Sequence, residues 1–411
     1  MENRKKLHYG WLIVLSCFMI MSFYLCIVMN CPGLFIIPVT TELGVSRSQY
    51  ALNTTVISIS MMAVALSAGK IFSKVKIRKV MSVAAFVLPL AYACYSRATS
   101  ITMFYGVSMV VGLCLGLCGM VPMSTLITRW FNEKRGLATG MAFTGSGIGG
   151  MILQPIIGQL IANVGWRKTY FILGIVMFIA VVPCVVCFIR DDPSEKNLEP
   201  YGKAPVNKGA VNADGLTFAQ AKKTPQMWLL LPIATISSAA CSSMVQQIAP
   251  YAMDIGYSST VAANIGAISL GTLAVGKIIL GQLYDMKGSK FGTYMSVGAI
   301  VAALTCYTMA SAQAILYVGI IFSGLGIAFS TVGYPIVTQS LFGKKDYSAI
   351  YGWVSCAGSI GTAIGSPLTS MIFDATGSYR MAWIVWSVAC VVLLIIFTVM
   401  NKLPIKVQEQ V

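Results

Sequence analysis

The stretch "SLGTLAVGKIILGQLYDMKGSK", Ser269 to Lys290, holds an amine and a carboxylate among residues that leave little water around them. Lys277 stands inside an apolar run, and Asp285 stands where that run ends. On a helix the eight residues between them span about 12 Å. An ionisable group at such a depth in hydrocarbon is costly unless it faces a polar cavity or a counter-charge. Gly266, Ala274 and Gly281 share a broad helix face with Lys277 and leave room around the amine. The plainer alternative is an amine that reaches along its stem to the nearer aqueous surface. The apolar runs offer no carboxylate as an obvious partner. The expected counter-ion is therefore a bound organic anion, with a carboxylate as the matching chemistry.

The end of the stretch has its own pattern: Gly281, Asp285, Gly288 and Lys290. Gly281 permits close helix packing. Asp285 is placed to accept from a neighbouring helix N-terminus or to pair with a basic loop. Such a contact holds one side shut and must break for that side to open. Arg129 and Arg135, in the basic loop "RWFNEKRGLATG", join this gating set.

Other polar residues also lie in apolar surroundings: Asn30, Gln246, Gln247, Tyr334 and Ser359, which are expected to shape a site with Lys277. Asn53, Ser60 and Ser67 fall on one helical face, as do Ser323, Ser330, Tyr334 and Thr338. Amides in hydrocarbon need partners, so these stripes predict a central polar cavity, with some of them bonding other helices instead. The chain has twelve Cys and one His, His8. The cysteines lie almost wholly inside apolar runs and read as small buried hydrophobes. No metal set, no nucleophile–base pair and no phosphate-binding Gly-x-x-x-x-Gly-Lys-[Ser/Thr] is present. No cofactor, metal or catalytic residue is expected, and an enzyme is excluded on the same grounds.

The elements that must hold these residues are long and apolar. Of 411 residues, 57% are hydrophobic and only 10% charged, against about 25% charged in ordinary soluble chains. A bilayer core needs about 20 apolar residues per helix. Twelve runs qualify: 11–38, 49–72, 79–97, 103–128, 137–162, 168–189, 227–252, 259–284, 291–310, 314–341, 348–373 and 380–401. The expected fold is an all-α membrane protein of twelve transmembrane helices in two pseudo-symmetric six-helix bundles, 1–190 and 227–411. A polar linker over 191–226 joins them, read as flexible, with a short helix near Thr217 to Lys223. The net charge of +16 does not signal nucleic acid, because the basic residues fall between the apolar runs. Of the 29 Lys and Arg, 23 fall on one side of the bilayer, with Lys70, Lys74, Lys76, Arg78 and Lys79 the densest group, whereas the other side holds only five, Arg47, Arg97, Arg167, Lys168 and Arg380. That asymmetry puts both termini in the cytosol, in the plasma or inner membrane.

The halves repeat at a shift of 212 residues. Pro38, Gly44, Gly69, Gly149, Pro155 and Gly165 meet Pro250, Gly256, Gly281, Gly361, Pro367 and Gly377. The same shift sets Lys277 against Ala65 and Asp285 against Ser73. The shared architecture does not require the buried charge, which favours a role specific to the second half.

These features resemble the major facilitator superfamily: two parallel six-helix repeats and the signature "GQLYDMKGSK", degraded in the first half to "GKIFSKVKIR". Within it the chain resembles the monocarboxylate transporter and oxalate/formate antiporter group. The carrying stretches are "HYGWLIV" from His8, "PGLFIIPVTTELGVSRSQ" from Pro32, "RWFNEKRGLATG" from Arg129 and "GKIILGQLYDMKG" from Gly276. The resemblance implies a secondary transporter that moves a small organic anion by alternating access, with protons or a counter-anion as the coupling species, working as a monomer. It implies an Arg that binds substrate carboxylate at the position of Lys277. In members that carry protons it also implies an Asp where this chain has Leu273, a departure that weakens proton symport through that pair. In oxalate-type members it implies a Lys near Gly358, and the lack of that second cation favours a monoanion over a dianion. The competing reading is an exporter of amphiphilic compounds with Lys277 in a structural role.

Overall fold

The computed structural model describes residues 8–45, 47–202, 215–257, 259–310 and 313–403. Nearly all of it is helix, as the hydropathy demands: a chain in hydrocarbon must satisfy its backbone polar groups within each segment. Nine helices among the described residues are long and apolar enough to cross a membrane. Arg135–Phe188 and Asn264–Thr308, 54 and 45 residues long, are each double spans. Tyr347–Thr376 adds a further 30-residue helix, rich in Gly and Ser. Twelve helical spans result.

Helix one is Gly10–Met19 continued by the wide turns of Ile20–Asn30. Helices two to four are Arg47–Lys74, Ile77–Cys94, and Ile101–Cys118 with Met120–Trp130. Helices five and six share Arg135–Phe188 and part at Gly165, where φ is 79°. Helix seven is Pro225–Asp254. Helices eight and nine share Ser259–Thr308 and part at Gly288. Helix ten runs Gln313–Ile327, then the wide turns Phe329–Gly333, then Tyr334–Phe342. Helices eleven and twelve are Tyr347–Thr376 and Tyr379–Lys402.

The chain divides into two compact units, Met1–Val206 and Asn207–Val411. Small residues set the packing inside each. In the first unit a methyl added to Gly112 of helix four would sit 2.6 Å from the Ile57 carbonyl oxygen of helix two and 2.8 Å from Ser60 Cβ. In the second, Gly324 of helix ten meets Thr272 of helix eight in the same way, 2.8 Å from Cβ. Both pairs are 212 residues apart.

Two expectations need correction. The first apolar run is not one helix to residue 38. It stops at Cys31, makes a tight turn over Pro32–Phe35 and restarts as Ile36–Leu43. Proline lacks the N–H that would continue the ladder. The linker is also not free at its ends, while 203–214 lies outside the described residues. Tyr201 pairs with Phe131: its N–H donates to Trp130 O at 2.8 Å, and Asn132 N–H donates back to Tyr201 O at 2.9 Å. In the second unit Gly215 pairs with Gly343, and Leu216 N–H donates to Phe342 O at 2.8 Å. The short helix Phe218–Lys222 forms as expected, opened by a Thr217–Gln220 capping box.

Candidate functional site

Helix eight holds Lys277 buried, and the residue before it explains how. A methyl on Gly276 would lie 2.5 Å from the carbonyl carbon of Gly324 and 2.8 Å from Leu325 N. Helices eight and ten therefore touch backbone to backbone here. Thr272 Oγ1 reinforces the contact by donating to Ile320 O at 3.2 Å. This close crossing fixes the rotation of helix eight and turns Lys277 inward, where it is 1% exposed. Around it on the helix, Ala274 and Leu280 are buried. Two turns on, Tyr284 is buried and shares a hydrogen bond with Thr293 Oγ1 at 3.1 Å.

Tyr334 follows the wide-turn segment of helix ten and is 3% exposed. Its hydroxyl lies 2.7 Å from both Ser237 Oγ and Ser238 Oγ and donates to Ala234 O at 2.9 Å. It ties helix ten to helix seven. Gln247 is engaged as fully. Its Nε2 donates to Ser366 Oγ at 2.8 Å and Ser370 Oγ at 3.0 Å, and its Oε1 accepts from Tyr379 at 3.1 Å. Those bonds knit helix seven to helices eleven and twelve.

Gln246 and Ser359 are different: both are exposed. Gln246 Nε2 donates to Ser242 Oγ at 3.0 Å, and Ser359 donates to Ser355 O, one turn back. Asn30, in the first unit, is also exposed. Its Nδ2 reaches Ser146 O at 3.5 Å, and its carbonyl accepts from Gln154 Nε2 at 3.0 Å. The structure thus separates the six residues predicted from the sequence into three buried ones, Lys277, Tyr334 and Gln247, and three exposed side chains. The polar stripes fare similarly. Asn53, Ser60, Ser323 and Thr338 are buried. Asn53 accepts from Tyr95, and Ser323 turns to its own helix. Asn53, Ser60 and Ser323 thus spend their polar groups on helix bonds, whereas the buried Thr338 hydroxyl has no hydrogen-bond partner among the described residues and Ser67 is exposed.

The gating residues sit at the ends of spans. Asp285 and Lys290 are exposed on either side of Gly288, whose φ of 81° and ψ of 172° make the bend between helices eight and nine. A left-handed φ is open to glycine and strained for other residues. Gly281 is buried. Arg129 is half-buried, and Arg135 folds back on its own turn, donating to Phe131 O through Nε at 3.1 Å and Nη2 at 2.7 Å.

Ser237 and Ser238 were missed by the reading of the sequence. The signal was present in "SSAACSS", two serine pairs in an apolar helix, and hydroxyls in hydrocarbon seek partners. A second missed constellation lies beyond the spans of the first unit. Arg167 donates to Glu42 Oε1 at 2.7 Å and to Ala98 O at 2.8 Å, and Trp166 Nε1 donates to Glu42 Oε2. Donation from Arg167, and secondly from Trp166, holds the Glu42 carboxyl below its usual range. Among the described residues no group of His, Cys, Asp and Glu could hold a metal ion.

Similar proteins agree with this architecture. Monocarboxylate transporter 12 of Mus musculus is 25% identical over 420 residues, covering 93% of this chain and 83% of that one. Monocarboxylate transporter 4 of Gallus gallus is 25% identical over 401 residues, covering 92% and 79%. The structure of FucP in the outward conformation matches with a TM-score of 0.71 at 15% identity, over 97% of this chain and 100% of that one, which bears on the fold alone. The sequence model of the Major Facilitator Superfamily matches residues 16–340 and again 293–409. Spanning both halves, that match makes the chain a member of the Major Facilitator Superfamily: a multi-pass membrane transporter and not an enzyme.

Proposed function

We propose that the chain moves a small organic anion, a monocarboxylate, by alternating access, and that the ammonium of Lys277 is the cation that receives it. The observation that carries this reading is the depth of Lys277: 1% exposed within a membrane-spanning helix, at a position the other half fills with alanine. Burying an ammonium costs several kcal/mol, by order of magnitude. An arriving carboxylate offsets that cost through a charge-assisted hydrogen bond. The names of the monocarboxylate transporters similar to the chain point to the same substrate class.

A lysine offers a point charge rather than the planar fork of arginine. It therefore suits one carboxylate oxygen and leaves the other to neutral donors. Asn30, Gln246 and Ser359, exposed and within apolar spans, are the side chains assigned to that role. Tyr334 and Gln247 support it at one remove, through the bonds that orient helices seven and ten. Asp285, Gly281, Gly288, Lys290, Arg129 and Arg135 serve the opening and closing of the basic side, which is the cytosolic side by charge asymmetry. Both termini then face the cytosol of a cell whose plasma or inner membrane holds the protein. Transport runs as symport with protons or as exchange for another anion, with the monomer as the working unit.

The test is uptake of labelled carboxylates into proteoliposomes by wild type, Lys277→Ala and Lys277→Arg. The expected result is saturable uptake that Lys277→Ala weakens about 10- to 100-fold, the range for losing a hydrogen bond to a charged group, with the melting curve retained. Normal carboxylate uptake by Lys277→Ala would overturn the reading and leave the amphiphile exporter in its place.

A further inference from the structure

Helix three begins beside a cleft that the transport reading does not use. Lys76, Arg78, Lys79, Ser82, Val83 and Glu195 line an open space of about 510 Å³. Three of these are cations and one is an anion. Lys76 Nζ lies 3.5 Å from Glu195 Oε1, and the lysine side chain remains 67% exposed. Arg78 is anchored by its backbone, whose N–H donates to Asp191 Oδ1 at 2.6 Å, and by Nη2, which donates to Val186 O at 3.1 Å. Lys79 is exposed. The linker residues Asp191 and Glu195 thus shape one wall of the cleft and offset only part of its charge.

We infer that this cleft binds the headgroup of an anionic phospholipid. Three observations carry the inference. The cleft straddles the edge of a membrane span: Lys76 to Val83 is seven residues, about 10 Å along the helix, and Ile77–Arg97 is a span. Below it, Val83, Phe86, Val87 and Leu90 are exposed at 64%, 46%, 37% and 60%. Their spacing of three and four residues makes a continuous apolar stripe on helix three. A cation cluster at the head of such a stripe fits a molecule with a phosphate at one end and acyl chains at the other, and a soluble phosphate would use only the first part. Finally, the repeat does not call for two of the three cations: the positions of Lys76 and Lys79 are Gly288 and Phe291 in the second half, and only Arg78 is matched by a cation, Lys290.

The test uses the full chain in a non-ionic detergent, with retained lipid counted by native mass spectrometry. Phosphatidylglycerol and phosphatidylcholine of identical acyl chains are the probes, with inorganic phosphate as a competitor. Wild type is expected to retain phosphatidylglycerol over phosphatidylcholine. Each charge near an anionic headgroup changes retention about fivefold. Lys76→Gln with Lys79→Gln should therefore lower retention of phosphatidylglycerol about 25-fold, Glu195→Gln should raise it about fivefold, and Lys344→Gln with Lys345→Gln should leave it unchanged. Equal retention of the two lipids, or wild-type retention by the double variant, overturns the inference. So does displacement of the lipid by millimolar inorganic phosphate, which would assign the cleft to a soluble anion. Should the double variant fail to fold, Glu195→Gln decides alone, and an unchanged retention there is the negative result.

Discussion

The two halves share a skeleton and differ in where they keep their charge. Gly112 meets Ser60 in the first half, and Gly324 meets Thr272 in the second, at positions 212 residues apart. Gly165 and Gly377 both take a left-handed φ between the last two helices of each half. Even the linker respects the repeat, since its two ends pair with Phe131 and Gly343, which are also equivalent. Against this background helix two has Ala65, Ser73 and Lys76 where helix eight has Lys277, Asp285 and Gly288. The first half gathers cations at the surface turn after helix two. The second half keeps fewer cations at that turn, Lys287 and Lys290, and buries one amine inside the span. Backbone approach is therefore a property of the repeat, whereas each half places its ionic groups differently.

Moving the charge tests that division most severely. Lys277→Ala combined with Ala65→Lys keeps one intramembrane amine but transfers it to the equivalent position. If the site belongs to the second half alone, carboxylate uptake falls about 10- to 100-fold, as for the single variant, and the transferred lysine restores nothing. Recovery of uptake to near wild type would show that the halves are interchangeable in chemistry as well as in backbone.

The next effect concerns stability. Gly112→Ala and Gly324→Ala each force a methyl against a facing helix, at a cost of about 1–3 kcal/mol. The two should lower the melting temperature by similar amounts, because the contacts are the same. A loss confined to Gly324→Ala would mean that only the helix eight–helix ten crossing is tight. Gly288→Ala places a Cβ at positive φ with an extended ψ, a region essentially confined to glycine, at about 1–3 kcal/mol. Lys76→Ala, at the equivalent position with φ of −57°, should cost no backbone strain. Equal melting curves for the two would remove the conformational account of the Gly288 bend.

Much of this was legible in the sequence, and the reasons for the remainder are physical. Helix positions follow from apolar length, so the twelve runs and the repeat could be read directly. The breaks at Gly165 and Gly288 were narrower than hydropathy suggested, because one left-handed residue is enough to turn a chain that a polarity count resolves only over several residues. Lys277 and Asp285 could be found as charges out of place. What a hydroxyl or amide bonds to depends on the rotation of two helices about their axes. The pairing of Tyr334 with Ser237 and Ser238, and of Gln247 with Ser366, Ser370 and Tyr379, therefore needed coordinates. Linker docking was hidden for a similar reason: Tyr201 and Leu216 contribute mainly backbone groups, which carry no side-chain signal.

The smallest expected effect lies at the opposite end of the first half, where the comparison is again uneven. Glu42 receives Arg167 and Trp166, whereas the equivalents of these three are Asp254, Tyr379 and Ser378. Tyr379 spends its hydroxyl on Gln247 instead. The Glu42 carboxyl is held below its ordinary value of 4.5 by donation from Arg167 and then Trp166. A depressed carboxylate contributes stability that is complete above the unfolded value and is lost as pH falls through the folded one. The Glu42–Arg167 contact should therefore hold at neutral pH and loosen only below about 4.5. Because Glu42 is solvent-exposed, screening keeps the effect small. Hydrogen-exchange protection near Gly165, taken relative to the intrinsic exchange rate at each pH, should fall on acidification in wild type and be both lower and less pH-dependent in Glu42→Gln. The segment around Gly377 should not respond to that variant. An equal response at Gly377 would mean that acid acts on the shared skeleton, and the asymmetry of charge would then have no consequence at this end of the molecule.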